Sequence, residues 1–228
     1  MEKQIQVAID GPASAGKSTV AKLVAKKFHY VYCDTGAMYR VVTLAALNRG
    51  ISMEDTAQIS KLAQEIKISF APGEPEQKVF LNGEEVTTDI RQGRIDQNVS
   101  AVAAIPEVRQ EMTNLQRQIA REGGIVMDGR DIGSTVLPDA PVKIFMVATA
   151  HERARRRYVE NKAKGIKTAS LEELQKEIEL RDKKDSSRKV SPLTQAPDAI
   201  RLDTTQLTID QVVDKISTII KKTLNELG

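Results

Sequence analysis

The sequence predicts an α/β fold built on a doubly wound parallel sheet. Two observations lead to this fold class. Largely apolar runs at residues 5–9, 125–128 and 142–147 have the length and the composition of strands buried in a parallel sheet. Stretches with helical periodicity alternate with these runs along the chain. Because ligands of such folds bind at the carboxyl ends of the strands, we expect the functional residues there.

The first hundred residues contain the start of this sheet and then a change of pattern. The predicted order is a strand at 5–9, a helix at 19–28, a strand at 30–33, helices at 37–48 and 55–65, and short strands at 68–70 and 79–81. Turn residues at 72–75 join the last two strands, and the hairpin signal Asn82 and Gly83 leads on to Val86, so the pattern predicts a small antiparallel piece. We therefore expect residues 66–100 to form a subdomain inserted into the α/β core.

The second half of the chain returns to alternating helices and strands. The predicted order is a helix at 106–122, strands at 125–128 and 142–147, helices at 152–164 and 171–184, a strand at 200–202 and a helix at 208–227. The helical region is locally basic, since residues 151–190 hold 13 Lys/Arg against 8 Asp/Glu. A cationic patch on a chain of net charge +3 suggests a polyphosphate ligand held at one place.

A glycine-rich loop directly follows the first strand. Gly11, Gly16, Lys17 and Ser18 match the spacing G-x-x-x-x-G-K-[ST], whose backbone N–H groups surround the phosphates of a nucleotide. Such a lysine adds a positive charge for the β- and γ-phosphates, and such a hydroxyl can ligate Mg²⁺ directly. The residues predicted to bind a nucleoside triphosphate here are Gly11, Pro12, Ala13, Ser14, Ala15, Gly16, Lys17, Ser18 and Thr19.

A second group of polar residues follows the strand at 125–128. Asp128 ends this strand, where the sheet would present its carboxylate to the same phosphates and to Mg²⁺ through water. Arg130 and Asp131 follow in the glycine-containing segment 128–133. An Arg–Asp pair that only braces the turn is the alternative interpretation.

Arginines recur at helical spacing on the two basic helices. Arg153 and Arg157 are four residues apart and share a face, as do Arg181, Asp185 and Arg188. Two such helices can close over phosphates as a lid, because phosphoryl transfer needs neutralised oxygens and the exclusion of water. A solvated pair of charged helices is the alternative.

The turn at 34–40 has the same strand-to-helix position as the phosphate loop. Thr35 and Arg40 supply a hydroxyl and a guanidinium there, which suit a second, monophosphate anion. With this second anion site the predicted domains are a core at 1–65, 101–150 and 189–228, an inserted monophosphate-binding subdomain at 66–100 and a lid at 151–188.

Together these segments resemble bacterial cytidylate kinase, a family of nucleoside-monophosphate kinases with a phosphate loop. The resemblance spans essentially the whole chain and is carried by residues 11–19, 34–40, 128–133, 181–188 and 191–193. It implies an adenylate-kinase-like fold with a core, a lid and an enlarged monophosphate-binding domain. It also implies transfer of the ATP γ-phosphoryl group to CMP or dCMP with Mg²⁺.

The resemblance implies residue roles as well. It makes Lys17, Asp128, Arg130 and Arg181 catalytic, and it adds Arg153 and Arg157 to the ATP-binding residues. The CMP-binding residues that it implies are Thr35, Arg40, Ser100, Arg109, Arg130, Asp131, Arg181, Asp185 and Arg188. Ser100, Arg109 and Asp131 would read the base, because such groups complement the amino donor and the N3 and O2 acceptors of cytosine.

Three other functions stay open from the sequence. The acceptor could be UMP or a non-nucleotide alcohol, or the chain could be a GTP-binding switch, although residues 161–164 lack the final Asp of an N-K-x-D stretch. A nucleic-acid-binding ATPase is the third, which the near-neutral charge disfavours. The single Cys33 predicts a cytoplasmic protein, and the absence of any apolar run of membrane length predicts no membrane partner. We also expect a monomer that acts on small molecules without nucleic acid, because no long exposed apolar stripe remains unassigned.

Overall fold

The computed structural model describes residues 4–71, 73, 77–163 and 165–227. The chain divides into two compact units. The sheet unit comprises Met1–Cys33 and Ala120–Gly228, and the helical unit comprises Asp34–Ile119. The predicted inserted subdomain at 66–100 lies within the helical unit, and the predicted lid at 151–188 lies within the sheet unit. The predicted domain boundaries themselves stay a prediction.

The elements alternate between strands and helices along most of the chain. In chain order they are β1 (Gln6–Asp10), α1 (Lys17–Phe28), β2 (Val31–Asp34), α2 (Thr35–Asn48), α3 (Thr56–Glu65), β3 (Ile68–Ala71), β4 (Lys78–Leu81), β5 (Glu84–Glu85), α4 (Gly93–Val102), α5 (Pro106–Ile119), β6 (Ile125–Gly129), β7 (Val142–Val147), α6 (Ala150–Ala163), α7 (Leu171–Ser186), β8 (Ile200–Asp203) and α8 (Ile209–Leu227). A 3₁₀ turn at Asp89–Arg91 precedes α4, and a π-helical turn at Ile132–Val136 follows β6.

The central sheet has five strands in the order β2-β6-β1-β7-β8. β1 pairs in parallel with both β6 and β7, and β7 pairs in parallel with β8. Helices α1 and α8 contact each other and share one apolar core with the middle strands, in which Val20, Val24 and Ile216 are completely or nearly completely buried. The predicted α/β fold with a parallel sheet is therefore confirmed. Its order places the ends of β1 and β6 side by side.

The helical unit has its own core and a small antiparallel sheet of order β3-β4-β5. The predicted hairpin at Asn82 and Gly83 is confirmed: both residues have positive φ, 52° and 91°, as the two central positions of a type I′ turn require. Of the predicted turn at 72–75, Pro72, Glu74 and Pro75 lie outside the described residues. The sequence analysis assigned no element to residues 93–102, which form α4.

Helices α6 and α7 form a pair within the sheet unit. Ala154 packs against Leu174 and Ile178 between them. Ser170 begins α7 with a reciprocal capping box, accepting a hydrogen bond from the Glu173 N–H while the Glu173 carboxylate accepts one from the Ser170 N–H. Within the described ranges, no helix combines the length and the apolar character that a membrane span needs.

Candidate active site

The phosphate loop connects β1 to α1 in the sheet unit. Gly11 and Gly16 have φ values of 146° and 87°. A Cβ atom on Gly11 would lie 2.1 Å from the carbonyl oxygen of Met146 on β7, so a glycine is required at this position. The loop ends at Lys17, which begins α1 and is 5% exposed. Its Nζ donates a 2.7 Å hydrogen bond to the Pro12 carbonyl and is thereby held against the loop.

Ser18 and Asp128 meet at the end of this loop. The Ser18 hydroxyl donates a 2.8 Å hydrogen bond to Oδ2 of Asp128, and the Tyr32 hydroxyl donates one of 2.8 Å to Oδ1. The register explains the meeting, because Asp128 pairs with Ile9 one residue before the end of β1. Asp128 is 4% exposed, so two donors hold a buried carboxylate beside the first turn of α1.

Lys17 has an unusual electrostatic environment. Burial, together with the positive charges of Arg130 and Arg181, lowers its pKa to about 7, while Asp128 and Asp10 act in the opposite direction. In the protein without ligand, the nearby carboxylates therefore do not fully compensate the positive charge of the Lys17 ammonium group. An arriving phosphate supplies that charge, so this site favours a polyanion.

Asp10 connects the end of β1 to the segment after β6. Its Oδ1 accepts a 2.8 Å hydrogen bond from the Ile132 N–H, and its Oδ2 accepts one of 2.7 Å from the Gly133 N–H. Burial raises the pKa of Asp10 to about 6, although these two N–H groups and Lys17 lower it. Arg130 and Asp131 lie immediately before these donors, and Asp131 is 4% exposed.

Arg153 of α6 contacts the phosphate loop. Its guanidinium donates to the carbonyl of Ala13 at 3.1 Å and to the carbonyl of Ala148 at 3.0 Å. Asp182 of α7 forms an ion pair of 2.6 Å with the same guanidinium. The predicted ATP-binding arginine is therefore positioned on the loop by a carboxylate of the neighbouring helix. Arg157, the other predicted ATP-binding arginine of α6, is half-buried.

Arg156 is a second contact between α6 and the loop that the sequence did not single out. It donates to the Ala15 carbonyl at 3.3 Å and to the Thr204 carbonyl at 2.6 Å. Glu152 accepts hydrogen bonds from both Arg155 and Arg156, which lower its pKa to about 2.

Asp185 joins two of the predicted CMP-binding arginines. Its side chain is 2% exposed, and it pairs with Arg130 at 3.0 Å through one oxygen and with Arg188 at 2.5 Å through the other. Arg181 lies one turn earlier on α7 and is half-buried. The predicted helical face is wrong for Arg188, because α7 ends at Ser186 and Arg188 reaches Asp185 from the segment that follows the helix.

The remaining predicted site residues lie in the helical unit. Thr35 begins α2 and is 3% exposed, directly after Asp34, whose carboxylate caps the helix by accepting from the Ala37 N–H at 2.9 Å. Burial would raise the pKa of Asp34, but the charge of Arg91, the Ala37 N–H and Arg40 together hold it below its usual value. A cation and a helix N-terminus therefore surround the turn predicted for an anion.

Two more of these residues have polar or aromatic partners inside the helical unit. Arg40 pairs with Asp96 at 2.6 Å. Arg109 is 3% exposed, donates to the Ala103 carbonyl at 3.2 Å and lies with its guanidinium carbon 5.5 Å from the centre of the Tyr39 ring. Ser100 is half-buried on α4.

Sequence reasoning missed the residues that hold the predicted ones in place. They are Asp10, Tyr32, Asp34, Arg91, Asp96 and Asp182. Asp10 and Asp34 carried a usable signal, since both are carboxylates at the end of a strand and directly before a candidate anion-binding turn. The others depend on which elements become neighbours, which spacing alone does not reveal.

Comparisons with known proteins agree on one family. The family model described as cytidylate kinase matches residues 7–222. The cytidylate kinase of Limosilactobacillus reuteri (strain DSM 20016) is 74% identical over 228 residues, with 100% of both chains covered. That of Limosilactobacillus fermentum (strain NBRC 3956 / LMG 18251) is 69% identical over 226 residues, covering 99% of this chain and 100% of its own.

A solved structure supports the fold independently. The shikimate kinase of Bacteroides thetaiotaomicron superposes with a TM-score of 0.51 at 13% identity, covering 96% of this chain and 99% of that one. Identity this low establishes a shared fold and no shared substrate.

Proposed function

The chain belongs to the cytidylate kinase family, and we propose a role for each site residue in transferring the γ-phosphoryl group of ATP to CMP or dCMP. The products are ADP and CDP or dCDP. Membership of a kinase family decides against a GTP-binding switch and a nucleic-acid-dependent ATPase, the two other classes that the sequence left open.

ATP binds at the phosphate loop, and the hydrogen bond between Ser18 and Asp128 is the observation that carries this assignment. It joins the loop to the end of a neighbouring strand, in the arrangement that phosphate-loop enzymes use for nucleotide and metal. Backbone N–H groups of residues 11–19 surround the phosphates, and Lys17 neutralises the β- and γ-phosphates. Arg153 and Arg157 cover the nucleotide from α6.

Mg²⁺ fits the pair of Ser18 and Asp128. A hydroxyl and a carboxylate 2.8 Å apart offer the oxygen donors that this ion prefers, and Mg²⁺ commonly keeps water molecules and phosphate oxygens as its other ligands. Ser18 would hold the ion directly and Asp128 through water. When bound, Mg²⁺ neutralises charge on the β- and γ-phosphates.

Transfer depends on charge and position more than on proton abstraction. A phosphate oxygen of CMP is already an anion at neutral pH, so no general base is needed. Arg130 and Arg181 stabilise the transferring group, and Asp185 keeps Arg130 in place through the 3.0 Å ion pair. Thr35, Arg40 and Arg188 serve the acceptor phosphate and sugar.

Cytosine is read by Ser100, Arg109 and Asp131. The burial of Arg109 and Asp131 supports this assignment, because a buried charged group that hydrogen-bonds a base discriminates more strongly than an exposed one. Uracil would place a carbonyl where cytosine has its amino group, leaving a buried acceptor unpaired. A preference of about 10⁴-fold over UMP is the scale such a site reaches.

The working environment follows from the substrates. We infer a monomer that acts in the cytoplasm, where ATP and CMP occur, with no nucleic-acid or membrane partner. The buried thiol of Cys33 fits a reducing compartment.

A coupled ADP-release assay tests the function. Mg·ATP is supplied with CMP, dCMP, UMP, AMP or GMP in turn, and the Lys17→Met variant serves as the control for contaminating kinases. Turnover confined to CMP and dCMP, and lost in Lys17→Met, is the expected result. Equal turnover with UMP would refute the assignment of Ser100, Arg109 and Asp131 to the base.

A further inference from the structure

Asp10 is a buried carboxylate to which the mechanism above gives no role. It is the last residue of β1, directly before Gly11, and it is 5% exposed. Its two hydrogen bonds reach backbone N–H groups 122 and 123 residues away in sequence. Burying a carboxylate costs free energy, and here the buried group accepts hydrogen bonds from two specific donors.

These two donors belong to the first residues of the π-helical turn at Ile132–Val136. The first N–H groups of any helical turn have no partner within the turn itself, so Asp10 satisfies them from another strand. The turn is closed at its other end by the Leu137 N–H, which donates to the Ile132 carbonyl at 2.7 Å. Asp131 lies immediately before the turn, and its own carbonyl accepts from the Thr135 N–H at 2.9 Å.

The consequence for the site is geometric. Two bonds, one to each carboxylate oxygen, fix both the distance and the orientation of the turn relative to the end of β1. Arg130 and Asp131 therefore keep a fixed position relative to the phosphate loop, which starts at the next residue after Asp10. Gly133 permits this approach: a Cβ there would lie 3.4 Å from Oδ2 of Asp10 and 3.2 Å from Cδ of Lys143.

Stability alone does not account for a carboxylate here. The raised pKa of Asp10 means that the ionised group is less favourable in the folded protein than in water, so ionisation at this position lowers the free energy of unfolding. A neutral residue would avoid that loss but would not accept both hydrogen bonds with equal strength. The carboxylate is therefore better explained by what it positions.

We propose that Asp10 is a positioning residue for the CMP side of the reaction, acting through the N–H groups of Ile132 and Gly133 on Asp131 and Arg130. The inference rests on the proposed function, since it assumes that Asp131 reads cytosine. Asp10 would thereby determine how accurately the base is recognised. Binding of ATP is left to the loop itself.

The Asp10→Asn variant tests this directly. The amide oxygen accepts one of the two bonds, but its NH₂ group faces the second N–H and repels it. We expect the KM for CMP to rise about tenfold and the preference for CMP over UMP to fall at least about fivefold, while the KM for ATP stays within about twofold. Asp10→Glu keeps the carboxylate but lengthens the side chain by one methylene group, so it should displace the turn and shift the KM for CMP in the same direction.

Tyr30→Phe is the matched control. It removes the acceptor of the Ile5 N–H at the other end of β1, at 3.3 Å, and leaves the segment after β6 untouched. We expect unchanged KM values for it, whereas a purely structural role of Asp10 predicts that all three variants differ only in melting temperature.

Three results would overturn the proposal. The first is a KM for CMP and a CMP-to-UMP preference within twofold of the unsubstituted protein in Asp10→Glu and in soluble Asp10→Asn. The second is a rise in the KM for ATP as large as that for CMP, which would place the effect at Lys17. The third, no CMP turnover by the unsubstituted protein, would refute the proposed function together with this inference and is therefore distinguishable from the first two.

Discussion

Replacing Asp185 with alanine should affect both stability and the use of CMP. The carboxylate is buried and pairs with Arg130 at 3.0 Å and Arg188 at 2.5 Å. Both guanidinium groups are themselves largely buried, at 20% and 9% side-chain exposure. Removing one partner of a buried ion pair costs about 3–5 kcal/mol, because the charges left behind are unpaired.

This loss can be converted into a melting temperature. With roughly 2.1 cal/mol/K of unfolding entropy per residue, a chain of 228 residues has about 0.48 kcal/mol/K. A loss of about 4 kcal/mol then lowers the melting temperature by roughly 8 °C. Differential scanning calorimetry of Asp185→Ala measures the shift. Its kinetics are then measured at 25 °C, below the unfolding transition.

The kinetics separate two functions of the same carboxylate. Loss of the Arg130 anchor should lower kcat/KM about equally for CMP and dCMP. If Asp185 also accepts a hydrogen bond from the 2′-hydroxyl, CMP should lose a further factor of about ten, the value of one charged hydrogen bond. We expect this additional loss for CMP.

Asp182→Ala is the matched control on the same helix. It removes the carboxylate that pairs with Arg153 at 2.6 Å, so it should raise the KM for ATP and leave the CMP-to-dCMP ratio unchanged. A melting temperature of Asp185→Ala within 2 °C of the unsubstituted protein, together with an unchanged KM for both acceptors, would refute the reasoning about this ion-pair cluster.

Two further predictions concern the phosphate loop. Ser18→Ala should reduce kcat/KM for Mg·ATP about 10–100-fold and raise the Mg²⁺ concentration for half-maximal rate, in a steady-state Mg²⁺ titration; an unchanged Mg²⁺ dependence would remove Ser18 from the metal site. Because the pKa of Lys17 is lowered to about 7, the free protein loses this proton above pH 7, and ATP affinity should then fall by up to tenfold per pH unit. Isothermal titration calorimetry at pH 6.5 to 8.5 measures this fall in ATP affinity, which Lys17→Met should abolish. If the pH dependence persists in that variant, it arises from a group other than Lys17.

The parts of the fold that the sequence revealed are those with a strong local signal. The strands β1, β6 and β7 are largely apolar, and the phosphate loop has glycines where positive φ is required. The hairpin at Asn82 and Gly83 was predictable for the same reason. At the loop and the hairpin the backbone requires a specific residue type, and in the strands burial requires apolar ones.

Helix α4 shows why the rest was not predictable. Its sequence begins with a glycine and contains Asp, Asn, Ser and three β-branched residues, all of modest helix propensity. The helix is held by burial of Ile95, Val99 and Val102 in the core of the helical unit. Tertiary packing, which the local sequence does not show, decided this element.

The candidate site divides in the same way. Residues proposed to meet the substrates stand in recognisable motifs, so Lys17, Ser18 and Asp128 were found from spacing. Residues that hold them, such as Tyr32 and Asp182, were not found, because their partners are far away in sequence: Tyr32 bonds to a carboxylate 96 residues later. Pairing of this kind is visible only once the strand order is known.

The strand order also means that neighbouring parts of the site are synthesised at different times. The phosphate loop leaves the ribosome early, whereas the carboxylate that accepts the Ser18 hydrogen bond is encoded 110 residues later. At roughly 5–20 residues per second, the nascent chain carries an incomplete loop for about 5–20 s. During that interval β1 also lacks both strands that flank it, β6 and β7. The growing chain thus completes its nucleotide site only after more than half of the protein has been made.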